Sequence, residues 1–190
     1  SFTWEEGTWV RGIDEERKRK MEDPIISGVV HDVGEAKMTL LGVPDRPGVS
    51  ALLFESLAAA NVNVDMIVQN TSIDGTTDIS FTLPIGDITT AEPILKKVGD
   101  EVGATGINKD ENIVKLSLVG AGMKSSPGIA AKMFRVLADN GVNIEMISTS
   151  TIRISVVVER SQLEKAVRAL HTAFDLDSGE DYSAPLPDRK

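Results

Sequence analysis

The residues of this chain best placed to do chemistry are Val43-Pro44-Asp45-Arg46-Pro47-Gly48, which run on into Val49-Ser50-Ala51. Asp45 suits a turn or a helix cap, Pro47 suits a first helical turn, and Gly48 removes side-chain bulk where a ligand could reach the backbone. Exposed amides at such a helix start attract a carboxylate, so the chemistry offered is capture of a small ligand. Alone, a strand, a loop and a Pro-started helix form an ordinary connection. Repetition gives it weight: Pro127-Gly128 follows Pro47-Gly48 at the same interval at which Asn143-Ile144-Glu145-Met146 follows Asn63-Val64-Asp65-Met66. Asn63 recurs as Asn143 and Asp65 as Glu145. That favours a shared interface or a ligand rim over acid/base catalysis.

Other constellations are poor. Gly120-Ala121-Gly122-Met123-Lys124-Ser125 lacks glycines where a phosphate loop or a dinucleotide fingerprint needs them, since Leu118, Met123 and Ser125 stand there. His31 and His171 are isolated, and no nucleophile, base and orienting acid occur at a recognisable spacing. No catalytic residue, metal site or cofactor is expected. With no cysteine there is neither a disulfide nor a thiolate metal site. A net charge of −9 disfavours nucleic acid, because the one dense basic run, residues 17–20, directly follows Asp14-Glu15-Glu16. No stretch is apolar for long enough to span a membrane, and the cytoplasm is the expected compartment.

The elements that must position the loop follow from periodicity. Residues 25–33 and 37–41 read as strands, and 47–60 as a helix with Val49, Leu53, Phe54 and Leu57 facing inward. Residues 62–69 alternate, which predicts one half-buried strand with Val62, Val64, Met66 and Val68 on the same side. Asp74-Gly75 predicts a hairpin into 77–83, followed by a helix over 89–102 and an edge strand over 105–109. The pattern restarts at 114–120 and ends with a helix over 161–174. The interval between copies is constant within an element and changes only from one element to the next, so the insertions fall in turns, as a duplicated fold tolerates. Each copy reads strand, helix, strand, strand, helix, the order of a ferredoxin-like unit. The second copy has no last strand, and the surplus strand 25–33 is expected to supply it.

The paired Pro-Gly helix starts, the Asn-Val-Asp-Met and Asn-Ile-Glu-Met segments, Gly120 to Ser125 and Ile147-Ser148-Thr149-Ser150 resemble the regulatory region of bacterial aspartokinases. Val68-Gln69-Asn70, Asp74-Gly75-Thr76-Thr77-Asp78-Ile79 and Ile152-Arg153-Ile154-Ser155 fall in the same order. The resemblance covers residues 25–176. It implies an α+β fold of two tandem ferredoxin-like ACT domains (βαββαβ), antiparallel four-stranded sheets with helices on one face. The expected division is 37–110 for the first domain, 25–34 plus 111–176 for the second, with 177–190 an acidic tail. Residues 1–24 are expected to be a linker: Ser1-Phe2 and Gly7-Thr8-Trp9-Val10 look like the end of a kinase domain, which is itself absent, and Met21-Glu22-Asp23-Pro24 resembles an internal start.

What the resemblance implies is feedback sensing in the phosphorylation of aspartate on the way to lysine, threonine and methionine. The chain would not itself be an enzyme; it would pair as a homodimer and join a catalytic α subunit in an α2β2 assembly. Threonine would lie over Asp45, Arg46, Pro47, Gly48, Val49 and Ser50. Asn63, Val64, Asp65 and Gln69 would contact it from the adjoining strand, and Asn143 and Ile144 from the second domain of another subunit. The companion site would draw on Ile129, Ala130 and Ser150. Lysine-responsive members usually have Thr where Ala130 stands and Glu where Thr151 stands, which counts against lysine as effector. The runner-up is a free-standing ACT sensor or the regulatory subunit of another amino-acid biosynthetic enzyme; the Gly120 to Ser125 and Ile152 to Ser155 motifs argue against it.

Overall fold

The structure is a computed structural model, and it describes residues 25–70, 74–121, 123 and 126–176. The linker expected over 1–24 and the tail over 177–190 lie outside the described residues. Eight strands run in chain order: β1 Ile25–Asp32, β2 Glu35–Pro44, β3 Ile67–Gln69, β4 Thr76–Pro84, β5 Gly106–Asp110, β6 Ile113–Ala121, β7 Met146–Thr149 and β8 Arg153–Glu159. Four helices accompany them among the described residues: α1 Val49–Ala59, α2 Ile88–Val102, α3 Gly128–Asp139 and α4 Leu163–Ala173. Short 3-10 turns at Ile85–Asp87 and Arg160–Gln162 lead into α2 and α4.

Two antiparallel four-stranded sheets result, ordered β3-β4-β2-β5 and β1-β6-β8-β7. Relative to the chain, both have the same order. β1 pairs with β6 from Ile25 opposite Ala121 to Asp32 opposite Lys115, and so takes in the second sheet the place that β5 takes in the first. The first unit is therefore threaded between β1 and the rest of the second. Where the chain crosses between units, Arg160 Nη2 donates to the carbonyls of Val33 (2.7 Å) and Glu111 (3.3 Å), strapping both crossings together.

Each sheet packs its helices on one face. Met38, Leu40, Ile79, Phe81 and Leu83 meet Leu53 and Leu57 of α1 and Leu95 and Val98 of α2, all essentially inaccessible. Phe54, partly buried, meets Phe81 edge to face with ring centroids 5.6 Å apart. The second core repeats the scheme with Leu116, Leu118, Val156 and Val158 against Met133, Leu137 and Leu170. The opposite faces of the sheets turn the other way, where Met66 of the first unit meets Ile113, Met146 and Val157 of the second in a third cluster. On this face a hydroxyl pair recurs: Thr39 with Ser80 (2.9 Å) and Ser117 with Ser155 (2.8 Å).

The strand expected over 62–69 needs correction. Those residues do not form one strand; only Ile67–Gln69 joins the sheet, and Val62 and Val64 pack into the first core whereas Met66 and Val68 pack into the shared cluster. The cause is an extra residue opposite Thr82: Asp65 N–H donates to Thr82 O (3.0 Å), and Thr82 N–H donates to Met66 O (2.9 Å). Two residues facing one partner reset the alternation. The second unit does the same, with Glu145 N–H donating to Val157 O (2.9 Å) while Met146 is the residue paired with Val157.

Candidate functional site

The loop before α1 is aimed by the end of β2. Gly42, at φ 58, sits in a register shift between Leu40 and Val43, and its N–H donates to Asp78 Oδ1 at 2.8 Å. The kinked strand then delivers Asp45, whose N–H donates to Gly75 O (2.9 Å), while Arg46 N–H turns back onto Pro44 O (2.9 Å). Gly48 is the N-cap of α1 with φ 96, a conformation suited to glycine, and a β-carbon built there would meet nothing within 4 Å among the described residues. None of their side chains caps the helix. The first bond of the helical pattern is Leu52 N–H to Gly48 O (2.9 Å), so the amides of Val49, Ser50 and Ala51 form the positive end of the helix beside open space.

Ser50 Oγ donates to Gln69 Oε1 at 2.7 Å, tying this helix start to the end of the edge strand β3. Loop, helix start and strand end thus make one exposed, polar corner. Val49 is buried in the core and Val64 leans on it, so these two offer a ligand their backbone only. Asn63 is exposed. Asp65, expected among the polar contacts, has its carboxylate engaged instead by Lys115 of the second unit, Oδ2 to Nζ 2.5 Å.

The helix start of the second unit is built differently. Pro127 is the N-cap of α3, at φ −62, and Ile129 N–H donates to Ser126 O (3.2 Å). Ile129 is buried, and Ala130 and Ile144 lean on the second core, so their side chains are packing groups. Asn143 is exposed just before β7, and Ser150 closes the turn after it by accepting from Ile152 N–H at 3.4 Å. Asn143, Ile144 and Ser150 belong to the second sheet's unit, and the 45–50 loop to the first.

Sequence reasoning missed the bases opposite the repeated acids. Lys115 holds Asp65 and also Glu35, a residue only 7% exposed; Lys37 holds Glu145 in the same way. Burial on its own lowers the Lys115 pKa, but hydrogen bonds to Asp65 and Glu35 outweigh it and leave the ammonium above its ordinary value. The available signal was that Lys37 and Lys115 hold matching positions on the first strands of the two copies. Among the described residues, no three His, Cys, Asp or Glu cluster as metal ligands would, and no helix is long and apolar enough to cross a membrane.

Comparison with known proteins gives this arrangement its context. An ACT domain family model matches twice, at residues 39–98 and 116–174. The chain is similar to the aspartokinase of Pseudomonas aeruginosa, 51% identical over 178 residues, which is 94% of this chain and 43% of that protein. It is 46% identical to the aspartokinase of Corynebacterium glutamicum over 95% of this chain and 43% of that one. The chain thus spans less than half the length of these relatives. Among solved structures it resembles a chain from the crystal structure of aspartokinase alpha and beta subunits, with TM-score 0.75 and 46% identity over 80% of this chain and 99% of that one. The ligand-free regulatory subunit of aspartate kinase from Thermus thermophilus gives TM-score 0.75 and 39% identity over 78% and 98%.

Proposed function

The chain belongs to the ACT-domain family as the tandem regulatory region of an aspartokinase, and from that premise we propose that it senses threonine and thereby controls the phosphorylation of aspartate by feedback. The observation that carries the reading is the corner where Ser50 and Gln69 join an uncapped helix start to an edge strand. A free amino acid carries a carboxylate, which suits the amides of Val49, Ser50 and Ala51, and an ammonium, which needs acceptors such as the Gln69 and Asn63 side-chain carbonyls. Ala130 and Thr151 leave the companion corner without the hydroxyl and carboxylate a lysine side chain would use.

One chain supplies half of this site. Asn143 and Ile144 complete it from a second copy, and the dimer forms along the edge strands. The support is that β3 and β7 are both edges, and that each exposes an isoleucine at the same place of the repeat, Ile67 (48% accessible) and Ile147 (44%). A chain bearing the kinase domain is the further partner, in an α2β2 assembly.

Calorimetric titration and thermal melting with L-threonine test the reading. Threonine at about 100 times its Kd adds about 2.7 kcal/mol per site, and a chain of this size gains about 2 to 4 °C for each kcal/mol. No heat and no melting shift at tens of millimolar threonine, in a folded dimeric sample, would sink it.

A further inference from the structure

Resting on that reading, we propose that Lys37 and Lys115 are positioning residues that couple the two effector half-sites, each lysine standing on the first strand of one unit and holding the ligand-facing segment of the other. The pairing is crossed. Lys115, on β6 of the second unit, binds Asp65 of the first; Lys37, on β2 of the first unit, binds Glu145 of the second. The lysines occupy matching positions of the repeat and so do the acids, so the exchange is reciprocal about an approximate two-fold axis.

Placement gives the pairs leverage. Asp65 and Glu145 are the extra residues of the two bulges, directly before Met66 and Met146. Gln69 lies at the far end of the short strand that begins after Met66, and Ser150 directly follows the strand that begins at Met146. A ligand that draws Gln69 or Asn143 toward it therefore pulls on a segment anchored in the opposite unit. The apolar part of the contact is Met66, Ile113, Met146 and Val157 with Val68 packed against them, and these side chains carry no directional preference of their own. Ion pairs are directional where apolar contact is not, and their lysine ends are well covered, the Lys37 and Lys115 side chains being 17% and 11% exposed, although the Asp65 side chain is 51% exposed.

The two arms differ in stiffness. Lys115 has a second carboxylate, Glu35, whereas the residue matching Glu35 in the second unit is Ile113, in the apolar cluster. Glu35 Oε2 is buried with no hydrogen-bond partner among the described residues, so losing Lys115 alone would leave this side chain buried without its ion-pair partner. The first unit's segment is thus held by a braced lysine and the second unit's by a single pair.

Amide hydrogen exchange on the ligand-free chain tests the coupling. Lys115→Met is combined with Glu35→Gln so that no buried carboxylate is stranded. Exchange at Ile67, Val68 and Gln69 is expected to rise about tenfold, equivalent to about 1.4 kcal/mol, while α2 serves as the unaffected reference. Lys37→Met is expected to do the same at Ile147, Ser148 and Thr149, and it tests the idea alone should the Lys115 variant fail to fold. Lys115→Arg, which keeps the charge, is expected to restore the wild-type pattern. A lysine that merely supports its own unit would loosen β6 or β2 instead. That pattern, or unchanged exchange, overturns the inference whether or not an amino acid binds. Titration with L-threonine separates it from the reading it rests on: no heat from the wild type sinks threonine sensing and leaves the exchange result to decide the coupling. Cooperative heats that become non-cooperative in the Lys115 variant support both, and undiminished cooperativity overturns the coupling.

Discussion

The hydrogen bond from Ser50 to Gln69 is the contact that joins a helix start and a strand end into the corner proposed as the effector site. Such a bond contributes about 1 kcal/mol, so Ser50→Ala is expected to weaken threonine binding by about fivefold, with little change in melting temperature, as calorimetry can measure. Lys115 makes a different demand, on pH. Its pKa is raised above 10.5 in the folded chain, so its ion pairs stabilise the fold below that value and are lost as pH rises through the folded pKa. Arginine stays charged there. Melting curves taken from mildly to strongly alkaline pH are therefore expected to fall more steeply for the wild type than for Lys115→Arg, and parallel curves would remove Lys115 from the stability of the contact. At this scale the sequence was half legible. Asp65 and Glu145 stood out because they recur beside other matching residues, but their partners lie far away in the chain, where no local pattern reaches.

Strand and helix order was readable because each element carries its own period and because the interval between copies supplied a second, independent register. What could not be read was the bulge before β3 and β7. One added residue leaves a perfectly alternating string, Val62 to Val68, whose members nonetheless face two different cores. Gly42 is the element-level control on the site. A methyl group there would lie 2.5 Å from Thr105 Oγ1, at a φ that disfavours side chains. Gly42→Ala is therefore expected to cost about 2 kcal/mol. Because the same residue aims the 43–48 loop, threonine binding is expected to weaken along with the melting temperature. The surplus strand β1 is the other lever. Deleting residues through Val33 removes Ile26 and Val29 from the second core and bares the edge of β6, and light scattering is expected to report aggregation.

For the whole molecule, two units of one design face each other through their sheets, and the corners proposed to take the ligand lie at the outer strands β3 and β7. Edge strands left open in one chain are what a second copy can use. Ile67→Lys is expected to shift the chain toward monomer in light scattering and to abolish the threonine response, as Asn143→Ala does without changing the assembly. A chain that is monomeric at micromolar concentration even with threonine present would exclude a site shared between copies. The symmetry itself was plain in the sequence, whereas the sheet-to-sheet contact was not, because its polar members, Thr39, Ser80, Ser117 and Ser155, look like solvent-facing residues until the other unit covers them.

The pairing of β1 with β6 also sets a timetable. Asp32 and Lys115 end opposite one another, yet the whole of the first unit separates them in the chain. A ribosome adding about 5 to 20 residues each second therefore makes β1 on the order of 10 s before its partner emerges. During that interval the first unit can fold entire. Once folded, it brings the end of β5 back beside the start of β2, so the closure that β1 and β6 must make is far shorter than the intervening chain. The first unit thus acts as a scaffold for the second during synthesis, and a substitution that slows only the first is expected to lower the yield of both.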